Sequence, residues 1–190
     1  TVDLYFLGTY AFSRQSFLEG RYRYKQKEKN TTWPDDKSRA VLPYSTHKFR
    51  LRYSHDLRSG WNFRTTADIA HYKEKHFPSD NGFMLSQNVG YRGKSPLTGD
   101  AYLAWFNADT YDARLYSYER NLLNTFYMPS FYGKGCRLAL SAKYAITKTL
   151  SFSLKFGHTL YFNRDSIGSG TELIDGKSRS DLFSYLRWTF

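Results

Sequence analysis

The sequence predicts an all-β fold, an antiparallel transmembrane β-barrel, and three observations carry that expectation. Apolar and polar residues alternate with period two from one end of the chain to the other, while helical period is nearly absent. The connections between these stretches take turns, short then long, as periplasmic turns and external loops do in such barrels. Aromatic residues reach 19%, with 17 Tyr, 15 Phe and 4 Trp against a hydrophobic fraction of 41%. That composition suits strands with one apolar and one polar side.

Taken in order, the first strand candidate lies near residues 2–12 and ends at the short "SRQS" of 13–16. In "RYRYKQK" Tyr22 and Tyr24 alternate with Arg21, Arg23 and Lys25. A long polar connection at about 26–46 precedes "KFRLRYS", where Phe49, Leu51 and Tyr53 alternate with Lys48, Arg50 and Arg52. After the short "DLRSG" of 56–60, "WNFRTTADI" sets Trp61, Phe63, Thr65, Ala67 and Ile69 against Asn62, Arg64, Thr66 and Asp68. A long connection at 73–81, a candidate near 82–91, the short stretch 92–99 and a candidate near 99–109 follow. In the last of these, "AYLAWFNA", both sides are apolar and no face can be assigned.

The longest connection, at 110–134, leads to "CRLALSAKYAI", with Cys136, Leu138, Leu140, Ala142, Tyr144 and Ile146 opposite Arg137, Ser141 and Lys143. The short "TKT" of 147–149 then turns into "LSFSLKFGHTLYF", with Leu150, Phe152, Leu154, Phe156 and Leu160 opposite Ser151, Ser153, Lys155 and Thr159. A long connection at 163–179 precedes the final strand, where Leu182, Leu186, Trp188 and Phe190 share one face and Asp181, Tyr185, Arg187 and Thr189 the other. Its closing apolar residues Leu186, Trp188 and Phe190, the last an aromatic, resemble the end signal by which barrel-assembly machinery recognises such proteins for insertion. With that strand descending to the periplasm, every short turn falls on the periplasmic side.

Nine candidates is an odd count, and bacterial single-chain barrels are normally even. The strand pattern also begins at once, at Val2 behind Thr1. The expectation is a single domain over 1–190 showing about 9–10 strands of a larger barrel truncated at its N-terminal side. The alternative is a soluble all-β binding module for an acidic ligand or nucleic acid, a sandwich whose strands alternate because one face is solvated. Apolar faces that run about 11 residues, against a sandwich mode of about 5–6, favour the barrel.

Charge narrows the partners. Lys and Arg number 28 against 17 Asp and Glu, a formal net charge of +11, which attracts anions. The side opposite the apolar one carries Arg21, Arg23, Lys25, Lys48, Arg50, Arg52, Arg64, Arg137, Lys143, Lys155 and Arg187, with Glu19, Asp68 and Asp181 as the acidic residues read on it. Such a lumen favours anions and makes an anion-preferring conduit or a site for an acidic ligand, unless ion pairs and a plug fill it. The best candidates for binding are Arg21, Arg23, Lys25, Lys48, Arg50, Arg52 and Arg64. Cations of "KQKEKN" are placed to meet lipopolysaccharide phosphates at the outer-membrane surface.

Other chemistries find little support. The single Cys136 excludes an internal disulfide framework and a Cys-rich zinc site. His47, His55, His71 and His158 fall on the apolar parity, His76 in a loop; none has H-E-x-x-H spacing or an evident Ser nucleophile beside it. No enzyme activity, cofactor or metal is expected. "GKG" at 133–135 and "GSG" at 168–170 lack phosphate-loop spacing. The Tyr and Arg of "RYRYKQK" project to opposite faces of a strand, so they make no shared nucleic-acid surface. The loop around 119–134 is long yet apolar, which is costly in solvent; Phe126, Tyr127, Met128, Phe131 and Tyr132 are expected to fold inward as a constriction.

The stretch "YDARLYSYERNLLNTFYMPSFYGKGCRLALSAKY" and the later "IGSGTELIDGKSRSDLFSYLRWTF" resemble the C-terminal region of outer-membrane proteins of the Bacteroidota usually named for an N-terminal helix-hairpin-helix domain. The resemblance covers about the last 80 residues, and its most specific parts are Tyr116 to Glu119, Pro129 to Gly135, Ile167 to Gly170 and Ile174 to Gly176. It implies a β-barrel in the outer membrane of a Gram-negative bacterium, in contact with its lipid, and no settled activity. No helix-hairpin-helix segment exists in these residues, so DNA binding by that route is not expected of them.

Overall fold

Period-two alternation turns into extended chain along most of the sequence. A computed structural model of the protein describes residues 1–33, 38–168 and 170–190. Its long strands are β1 (Val2–Ala11), β2 (Ser16–Thr32), β3 (Arg39–Asp56), β4 (Trp61–Glu74), β5 (Ser79–Tyr91) and β6 (Leu97–Ala108). The short strands β7 (Leu115–Tyr116) and β8 (Ser130–Phe131) pair with each other. Then come β9 (Gly133–Ala145), β10 (Leu150–Tyr161), the paired short strands β11 (Ser166–Ile167) and β12 (Ile174–Asp175), and β13 (Ser178–Trp188). All nine expected strands form one antiparallel sheet in the order β1-β2-β3-β4-β5-β6-β9-β10-β13. Among the described residues the sheet does not close on itself, since β1 and β13 each leave an edge unpaired.

Register fixes the faces, because a slip of one residue would invert every side chain. One row runs Leu51, Ala67, Leu85, Trp105, Cys136, Leu160 across β3 to β10. Its large side chains are exposed, Trp105 at 46%, and we call this side the outer face. The row beside it runs Arg21, Arg50, Asp68, Met84, Phe106, Gly135, Tyr161 on the inner face. The parities read from the sequence agree with this ladder on every strand where one was assigned. The two-sided "AYLAWFNA" is also explained: Leu103 and Trp105 are exposed outward, while Tyr102, Ala104, Phe106 and Ala108 are buried inward. Its inner side meets protein instead of water.

That protein is the connection 109–132, which lies over the inner face. Phe106 stacks on Phe131 at 4.5 Å and meets Tyr161 edge-on at 5.5 Å, within a buried cluster that includes Met84, Leu115 and Ile167. Burying an aromatic of this size is worth about 1.5–3 kcal/mol. Gly82 lets the connection approach so closely: a Cβ there would stand 2.4 Å from the Ala113 carbonyl oxygen.

Two connections differ from expectation. Strands β2 and β3 continue in register to the Thr32–Arg39 pair, so most of the expected loop at 26–46 is a hairpin, and residues 34–37 of it lie outside the described ones. Likewise β4 and β5 leave only 75–78 between them, as short as the turns at the opposite end. No alternation marked these extensions as strand: Gln26 to Thr32 is polar on both faces, and in Ala40 to Pro43 apolar residues fall on both. The 110–134 and 163–179 connections are long, as read. The middle of the expected "GSG", residue 169, lies outside the described residues.

Candidate anion-binding cleft

Strand pairing brings five of the seven predicted basic residues together. Antiparallel register sets Arg21 opposite Arg50 and Arg23 opposite Lys48, with Lys25 one step further along β2. Like charges placed directly across a ladder repel, so counter-charge has to come from elsewhere. Arg50 Nε donates to Asp68 Oδ1 on β4 at 2.5 Å, and Arg23 makes two bonds to Asp3 on β1, at 2.9 and 2.6 Å. Further along the inner face, Lys29 pairs with Glu74 at 2.8 Å and with Asp112 at 3.4 Å. Glu74 also accepts from Thr31 and from Tyr72.

The covering connection supplies the rest of the wall. Arg114 donates to the Tyr116 hydroxyl at 2.9 Å and packs over the Tyr111 ring at 4.0 Å. Lys48 lies over Tyr116 at 5.2 Å, and Arg50 and Arg21 over Tyr118 at 3.9 and 5.9 Å. Between the connection and β1 to β4 are two adjoining hollows of about 230 and 280 Å³ that share Arg23, Lys48 and Arg114. Among the described residues, Arg21, Lys25, Lys48 and Arg114 have no carboxylate within ion-pair distance.

The other two predicted residues stand apart. Arg52 is 3.5 Å from Glu19, and Arg64, exposed, lines a small space beside Arg50 and Arg52. The sequence reading of three acids on the inner face was also too few. Asp3, Glu74 and Asp100 share that face, and Glu119 enters it from the connection. Asp3 and Asp100 already lie within the strands expected at 2–12 and 99–109, where no faces were assigned, and Glu74 follows by parity once β4 is extended to its full length.

A second, fully buried charge cluster holds the connection down. Arg137 and Lys155 are at most 1% exposed. Arg137 donates to Glu119 at 3.0 and 2.8 Å, to Asp181 at 2.7 and 3.0 Å, and to Thr159 at 3.2 Å. Lys155 binds Glu119 at 2.8 Å and Asn121 at 2.7 Å. Tyr127 donates to Asp181 at 3.4 Å; burial, with the Asp181 charge adding to it, pushes the Tyr127 hydroxyl above the ordinary phenol range.

The expected constriction residues therefore divide. Tyr127 and Phe131 point inward, Met128 lines the cleft, and Tyr132 packs against the core with Arg164 over its ring at 4.2 Å. Phe126 is a correction: it is 94% exposed. Chain extended beyond the positive-φ Asn124 alternates sides, and Tyr127 takes the inward one. The connection alternates like a strand at 113–120, where Ala113, Leu115, Ser117 and Glu119 are buried and their neighbours are not; with Ser and Glu on the buried side, no apolar period announces it.

The histidines need one correction too. Ser16 and His55 are 2.6 Å apart, and His158 and Ser180 2.9 Å, so two serines do sit beside histidines. Each is a cross-strand pair on the outer parity, and neither ring has a carboxylate partner among the described residues. No group of His, Cys, Asp or Glu among those residues is arranged to hold a metal ion. Leu186, Trp188 and Phe190 are all exposed. No family model, curated protein or solved structure matches the chain.

Proposed function

We propose that the chain is a β-barrel region of a Gram-negative outer membrane, acting as a transport or assembly component whose basic interior favours anions. One observation carries the anion preference: four cations without a carboxylate partner among the described residues, Arg21, Lys25, Lys48 and Arg114, surround a cleft on the inner face. A cleft with unbalanced charge and low-dielectric walls concentrates counter-ions. The outer face supports the membrane reading, since Phe49, Leu51, Leu85, Trp105, Leu140 and Phe156 are exposed on it without a covering element. An apolar surface of that extent in water invites aggregation, whereas lipid is its natural solvent. The family resemblance of the C-terminal stretch points the same way.

In this reading Leu186, Trp188 and Phe190 serve as the signal for barrel-assembly machinery, and the cations of "KQKEKN" on the β2 extension meet lipopolysaccharide. The test is the reversal potential of the reconstituted protein in a salt gradient. The expected sign is that of anion selectivity; cation selectivity, or no conductance, defeats the conduit.

A further inference from the structure

The cleft is divided, and its division says something about what it takes. This inference rests on the anion-binding reading and narrows it. Lys48 and Arg114 border both hollows, whereas Arg21 borders only the first and Lys25 only the second. On β2 these two cations are four residues apart on one face, with the Arg23–Lys48 pair midway. Arg23 already has Asp3 as its partner. Each hollow thus has one uncommitted cation of its own and shares two with its neighbour.

We infer that the cleft binds a ligand carrying two anionic groups, one between Arg21 and the Lys48/Arg114 pair, the other between that pair and Lys25. Strand geometry sets the spacing. A rise of about 3.4 Å per residue puts the midpoints of the two intervals about 7 Å apart. A single anion satisfies one hollow and leaves the other with an unneutralised cation; a dianion of matching length satisfies both. Tyr116 and Tyr118 offer ring surface to the linking atoms, and their stacking with Lys48 and Arg50 holds the cations toward the cleft. The hollows lie on the inner face, away from the apolar side, so the ligand is a free solute and not a lipid headgroup.

The test is calorimetric titration of the folded, detergent-solubilised protein at fixed ionic strength with three probes: adipate, hexanoate and malonate. Adipate and hexanoate share a six-carbon chain and differ by one carboxylate; malonate has both carboxylates too close together. Adipate is expected to bind about tenfold tighter than hexanoate, the ratio that one added charge-assisted contact supports, with malonate nearer to hexanoate. Lys25→Gln and Arg21→Gln each remove the adipate advantage, since each leaves one hollow without a cation of its own, while hexanoate, which needs one hollow, keeps the other. Equal binding of adipate and hexanoate, or an adipate advantage that survives Lys25→Gln, overturns the two-anion inference and leaves the basic interior standing. Binding of none of the three overturns both. Repeating the titration in cardiolipin vesicles should leave adipate affinity as it is in phosphatidylcholine; displacement by this two-phosphate lipid assigns the site to headgroups and overturns the free-solute assignment.

Discussion

Replacing Glu119 with Gln removes the central acid of the buried cluster that pins the 109–132 connection to the sheet. As it stands the cluster is balanced, with Arg137 and Lys155 facing Glu119 and Asp181. Glu119→Gln keeps the shape and leaves one excess positive charge among side chains that are about 1% exposed. Breaking a buried pair from one side costs about 3–5 kcal/mol. At about 1.4 kcal/mol per factor of ten, that raises the undocked fraction of the connection by roughly two to four orders of magnitude. The assay is limited trypsin digestion at Arg114 and Arg120 with the sheet intact. Cleavage follows the open population when reclosing is fast. Adding Lys155→Met to Glu119→Gln restores one cation against one acid and should recover much of the protection. Cleavage within about twofold of the parent protein, where an effect of at least a hundredfold is expected, would refute the claim that this cluster holds the connection.

Three further outcomes follow from the same geometry. Neutralising Lys48 and Arg114 together should lower anion preference more than neutralising Arg50 and Arg52, because the latter pair already face Asp68 and Glu19; reversal potentials of the two double variants rank them. Gly82→Ala drives a methyl group into the Ala113 carbonyl, so it should loosen the connection and raise trypsin cleavage at Arg114, while Gly8→Ala, which meets open space, should not. Cys136 lies between Trp105 and Leu160 on the outer face; in vesicles it should react with a membrane-permeant maleimide and resist a charged thiosulfonate, and equal reaction with both counts against a lipid-facing position.

The strands were legible in the sequence wherever one side is apolar and the other polar. In β10 and in β3 from Lys48 onward that contrast placed the inward residues, Arg50 and Lys155 among them. It failed where the contrast vanishes. Residues 26–32 are polar on both sides and Ala40 to Pro43 apolar on both, yet the two stretches pair in register all the same, and β6 is apolar on both sides because the connection covers it. Cation clustering across β2 and β3 followed from parity and a hairpin register. The counter-charges from the covering connection did not: Asp112, beside Lys29, and Glu119, which pairs with Arg137 and Lys155, come from a distant loop, and loop paths are set by packing that no periodicity records. Arg114 joined the cleft for that reason, and Phe126 left the constriction for the same one.

The central claim is that the outer face meets lipid, and the outward tryptophans test it most directly. Trp61, Trp105 and Trp188 are exposed on that face at 43%, 46% and 72%, whereas Trp33 packs against His76 and Phe77 beyond the strands. In a Trp33→Phe variant reconstituted into vesicles whose acyl chains carry bromine, the account predicts strong quenching of the remaining fluorescence relative to unbrominated lipid. Fluorescence that is unchanged by brominated chains, from protein that stays in solution without detergent, would contradict it.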